Sequence, residues 1–182
     1  MESIELTMNE PTKQPHPLAT IGGIAAAAAG WAFAQYTGAS GWIPIGAAFL
    51  LMWVFTKTPL RPTWFVGAII ATLAHAIWFT VAGAMGDIWQ VVIVDIAALC
   101  LCTAALWFRP GIVTACLLGL VQMASLAYNL NLICEATFGD PVHRALTAHI
   151  VFRAIAISAL IMGYLKFRKQ NIQHPPILSG TA

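Results

Sequence analysis

Six apolar runs, at about residues 18–36, 42–56, 63–84, 88–108, 111–133 and 141–165, constrain this chain more than any other feature. An α-helix rises 1.5 Å per residue, so about 20 apolar residues match the hydrocarbon core of a bilayer. Five of the runs come to that length. The second, at about 15 residues, is short and needs Lys57 to reach out toward headgroups. The pattern predicts an all-α integral membrane protein, a bundle of six transmembrane helices. It forms one domain over residues 18–169, between disordered cytoplasmic tails at 1–17 and 170–182.

Charge supports this reading better than apolar content does. The chain is 59% hydrophobic, but only 9% of it is charged, against about 25% in soluble domains. Too few charges remain to coat a water-facing surface. Pro44, Pro62, Pro110 and Pro141 lie near the starts of runs, where a missing N–H costs little. Asp87 and Asp140 precede runs four and six and are placed to cap their first N–H groups. Arg109-Pro110-Gly111 is so short a break that runs four and five must be antiparallel neighbours. Most of the tryptophans sit near run ends, where amphipathic rings favour the interface.

Orientation follows from the basic residues. With the N-terminus cytoplasmic, Lys13, Lys57, Arg61, Arg109, Lys166, Arg168 and Lys169 are inside, and Arg144 stands outside with Asp87, Glu135 and Asp140. Such an asymmetry predicts both termini inside, in a plasma or bacterial inner membrane. The acidic, proline-bearing start is the wrong type for a cleavable signal. No basic stretch interleaved with aromatics suggests nucleic acid.

Four cysteines form no CxxC pair and read as buried packing residues rather than a disulfide framework. Small residues recur at four-residue spacing: Gly22, Ala26, Gly30 and Ala34 in run one, Gly111, Ala115 and Gly119 in run five, Gly67 and Ala71 in run three. Such faces let helices approach within the molecule, and also serve homo-oligomers or contacts with other membrane subunits.

The ionisable residues at membrane depth are His75, Asp95, His149 and Arg153, and such groups turn toward a bundle interior. From the outer helix ends, Asp95 lies about 10 Å deep, His149 about 12 Å, His75 about 13 Å and Arg153 about 18 Å. Run five adds Gln122, Ser125 and Asn129 on one helical face. The expectation is a single pocket in the outer half, lined by His75, Asp95, Gln122, Asn129, His149 and Arg153, with Asp95 and Arg153 paired. These residues form the candidate pathway or binding site for a small polar solute or protons. A second reading makes the chain a non-catalytic subunit or interaction protein whose buried polar groups only set helix register. A third makes it a haem- or quinone-binding protein, with His75 and His149 as haem ligands. No cofactor or metal is expected otherwise, since the helices hold no HxxxH or HxxE spacing. No Walker, DxxD or GxSxG pattern points to an enzyme, and no lysine within a run suggests a retinal Schiff base. Residues 74–78 resemble 148–152, but the match is short in an alanine-rich chain and does not amount to a duplication.

Overall fold

A computed structural model describes residues 17–59, 64–86 and 89–173. All its regular structure is helical: α1 (Pro17–Thr37), α2 (Ala39–Lys57), α3 (Val66–Gly86), α4 (Trp89–Phe108), α5 (Ile112–Glu135) and α6 (Pro141–Gln173). Among the described residues there is no strand. The expectations for Asp87, Arg61, Pro62, Lys13 and nearly all of both tails fall outside the described residues.

Two of the helix bounds differ from the expected runs. Helix α2 is 19 residues long, not about 15, because it begins at Ala39 and carries Pro44 inside it rather than at its start. Helix α6 continues to Gln173, well past the last apolar residue of its run. Apolar periodicity sees only the part of a helix that meets an apolar environment, so its polar extension was invisible.

The turns use recognisable local chemistry. Gly38, alone between α1 and α2, has φ of 61°, a left-handed conformation that suits glycine. Its carbonyl accepts from the Gly41 and Trp42 N–H groups. Thr114 Oγ1 donates back to the carbonyls of Arg109 and Gly111, closing the α4–α5 hairpin. Asp140 caps α6 as expected, its Oδ1 accepting from the His143 N–H at 2.7 Å.

The chain forms two compact units, up to Phe33 and from Ala34 onward. The first holds most of α1, in which residues 25–29 are exposed. In the second, α3, α4, α5 and α6 form a closed ring: α3 touches α4, α4 touches α5, α5 touches α6 and α6 returns to α3. Helix α2 lies on α3 and α6. Ring neighbours run antiparallel. Along α3 and α6, a Cβ at Gly163 would meet Phe65 and one at Gly67 would meet Ala159, while His75 meets His149. These are the small residues that let two backbones come close. The stripe in α5 works likewise: Ala115 is buried and Gly119 faces Leu160 of α6.

One end of the ring is filled by a tight apolar layer that includes Phe65, Ile69, Leu99, Leu106, Leu118 and Leu160. The outward faces are apolar as well, with Phe49, Leu50, Val94, Leu101, Val113, Leu120 and Met162 all exposed. Water would penalise such a coat, whereas hydrocarbon would not. Four helices, α2, α3, α5 and α6, are long and apolar enough to cross a membrane, and α4 has a shorter apolar segment over Val92–Phe108. The cysteines correct one expectation. Cys100, Cys116 and Cys134 are exposed and only Cys102 is half-buried, because they lie on the outward faces of α4 and α5. A thiol needs no interior when the exterior is apolar too.

Candidate functional site

The other end of the ring contains polar side chains from all four helices. Arg153 of α6 is at the centre, 1% exposed. Its Nη2 donates to Asp95 Oδ2 of α4, forming the expected ion pair. Its Nη1 donates to Gln122 Oε1 of α5 at 3.0 Å. Gln122 Nε2 in turn donates to Thr72 Oγ1 of α3 at 3.1 Å, and Ser125 Oγ donates to Asp95 Oδ1 at 3.0 Å. One connected network therefore joins α3, α4, α5 and α6. The guanidinium also lies 5.6 Å from the centroid of the Phe79 ring, within cation–π range.

Beside this network His75 and His149 meet, Nε2 to Nδ1, at 2.6 Å. Their ring centroids are 4.9 Å apart with planes 28° apart. Phe79 lies nearly parallel to both rings, its centroid 4.6 Å from each. At this separation one proton lies between the two nitrogens, and no room is left there for a haem iron and its macrocycle. The two nitrogens that would face a haem iron are here hydrogen-bonded to each other.

A cavity of about 700 Å³ opens beside the cluster. Its wall takes Phe79 and Ala82 from α3, Val92, Val94, Asp95 and Ala98 from α4, Val121, Ala124, Ser125, Tyr128, Asn129 and Leu132 from α5, and Val142, Leu146 and His149 from α6. Most lie in the halves of the helices joined by the α3–α4 and α5–α6 connections, and Phe79 and Val92 are shared between this wall and the apolar cluster. Val94, Tyr128 and Val142 are exposed, so the mouth reaches the surface of the bundle. Asp95 is six residues into α4, which puts it about 9 Å along the axis.

Of the six expected residues, Asp95, Asn129 and His149 line this cavity. His75, Gln122 and Arg153 do not: they are wholly buried behind it. The six are thus brought together, but as a cavity wall with a supporting layer rather than as one water-lined pocket. The wall itself is mostly apolar, which differs from the polar cavity expected. Polar atoms at membrane depth find partners in one another first, and here Arg153 consumes most of them. Asn129 Nδ2, His75 Nδ1 and Arg153 Nε are left buried without partners.

Two members of the site were missed from sequence, Thr72 and Phe79. Thr72 is three residues before His75 and Phe79 four after it, so all share a face of α3. That spacing was the available signal, but a threonine and a phenylalanine in an apolar run look like ordinary packing. Comparison with protein-family models, curated proteins and solved structures finds no match to this chain.

Proposed function

We propose that the protein is a multi-pass integral membrane protein of six spans, both termini cytoplasmic, in a plasma or bacterial inner membrane. It binds a small solute bearing a polar group in the cavity among α3, α4, α5 and α6. His75, Asp95, Gln122, Asn129, His149 and Arg153 form the site: three touch the solute and three hold them in place. The observation that carries this reading is the cavity itself, which ends on Asp95, Asn129 and His149 in an otherwise apolar coat. Six spans are supported by α1 and α4, with 21 and 20 residues, each long enough for a hydrocarbon core. Binding is favoured over passage of solute or protons, because the apolar layer at the far end would have to open for anything to cross.

Thiol labelling tests the site. In a background lacking the native cysteines, Asn129→Cys should react with a small thiol reagent in sealed vesicles. Leu106→Cys, in the apolar layer, should not. Equal protection of both positions would remove the cavity from consideration as a site.

A second reading rests on the exposed alanines of α1. Small-residue faces associate in lipid, so α1 would contact another copy or another membrane subunit. The mass of the protein–detergent particle by light scattering tests whether copies associate.

A further inference from the structure

The free hydrogen-bonding groups in this cavity select a ligand class. His75 Nδ1 is buried and makes no hydrogen bond. A proton there would be an orphaned donor, a rarer and costlier state than a bare lone pair. In its neutral form the histidine pair therefore keeps one proton on His75 Nε2, donated to His149 Nδ1, and the other on His149 Nε2. His149 lines the cavity and is only half-buried, so this Nε2–H is the donor its ring has left to present to an occupant. Asn129, more than nine-tenths buried, also lines the cavity, and its amide nitrogen is buried without a partner just behind that wall, where a rotation of the side chain would bring it to an occupant. Among the described lining residues Asp95 alone carries a formal charge, and Arg153 pairs with it. Its side chain is 22% exposed, so its carboxylate can still accept. The rest of the wall is mostly alanine, valine and leucine.

From these groups we infer that the ligand is a neutral, lipid-soluble hydroxy compound: an alcohol, phenol or quinol with an apolar body. Its oxygen accepts from His149 Nε2–H, with Asn129 beside it, and its O–H donates to Asp95. A charged head would remain unpaired in this neutral site, at high cost. The apolar body fits the alanine and valine wall. The exposed rim at Val94 and Tyr128 lets that body extend toward the hydrocarbon. The volume lies within the range usual for small-molecule sites. This inference rests on the cavity being the site, as proposed above, and makes its ligand neutral and bilayer-borne.

The test uses full-length protein in lipid nanodiscs and a decanol carrying a photoreactive diazirine. Matched decyl carboxylate and decyl ammonium probes and a short water-soluble alcohol serve for comparison. The decanol should crosslink saturably to residues lining the cavity, and excess unlabelled decanol should compete. Filling the mouth by Ala124→Phe, on an exposed lining residue outside the hydrogen-bond network, should weaken labelling about tenfold. His149→Phe, which removes the N–H donor, should weaken it similarly while unfolding is checked separately. Equal labelling of the cavity by either charged probe overturns the neutral class. Labelling only by the short alcohol overturns a bilayer source. No saturable labelling of the cavity by any probe overturns the inference, and Asn129→Cys reactivity then tells whether the site reading survives it.

Discussion

Removing Asp95 should cost far more than removing Asp95 and Arg153 together. Arg153 is almost wholly buried, and Asp95 supplies its only carboxylate partner among the described residues. Asp95→Ala strands the guanidinium, and breaking a buried pair this way costs about 3–5 kcal/mol. The double change Asp95→Ala with Arg153→Leu leaves no charge. Its residual penalty comes mainly from Gln122 Oε1, which loses its donor, at about 1–3 kcal/mol. The single change Arg153→Leu should fall between the two, because Asp95 keeps Ser125 and its side chain borders the cavity. Unfolding in mixed micelles, with all four proteins measured under one condition, gives the cycle. An interaction energy of about 2 kcal/mol or more is expected, in the sense that the double variant is more stable than Asp95→Ala alone. Additivity within about 0.5 kcal/mol would show that the pair is not formed in the membrane-mimicking environment.

Four further outcomes can be measured. Gly163→Ala should destabilise by about 1–3 kcal/mol in the same unfolding assay, because its Cβ would come 2.7 Å from Phe65 and 3.2 Å from the Trp64 carbonyl. Gly119→Ala should stay within about 0.5 kcal/mol, since its nearest neighbour is the flexible tip of Leu160 at 3.4 Å; a reversed order would contradict the α3–α6 and α5–α6 registers. Gln122→Leu should cost about 1–3 kcal/mol by leaving an Arg153 N–H unpaired, and more than Thr72→Val, which leaves only the Gln122 amide short of one acceptor. Reporter fusions after Lys57, Arg109 and Lys166 should read as cytoplasmic and those near Gly38, Gly86 and Gly139 as external; an external signal after Arg109 would break the six-span arrangement.

The helices were legible because a bilayer is a demanding solvent. It requires long apolar runs with few charges, and little else in a sequence looks like that. Helix ends were less legible. Pro44 has the chemistry of a helix start, yet α2 begins five residues earlier, where Gly38 supplies the turn. The Asp95–Arg153 pair was readable because two opposite charges at comparable depth have few other ways to be satisfied. The division of labour within the site was not. Helical spacing gives the face a residue occupies, but not which of several polar neighbours reaches it first. Only coordinates show Gln122 bridging Thr72 to Arg153, or Phe79 lying across both histidines. The cysteines were misplaced for a related reason: a rule learned from water-soluble cores assigns thiols to the interior, and an apolar exterior removes that preference.

Helices α4 and α6 are on opposite sides of the ring, without backbone contact, yet Asp95 and Arg153 join them across 58 positions of sequence. That separation bears on the order of events at the ribosome. In the spanning arrangement, α4 emerges and must partition into lipid long before the residue that neutralises its carboxylate has been synthesised. An unpaired aspartate costs about 2.5–3.5 kcal/mol at a helix centre on insertion scales, and less at the depth of Asp95, about 9 Å along α4, a penalty that still disfavours the release of α4 alone. On the six-span reading, arrival of α6 would supply the partner and let both helices leave together. Chains truncated after α5 should therefore remain bound to that machinery and be degraded, while the full chain moves on into the bilayer.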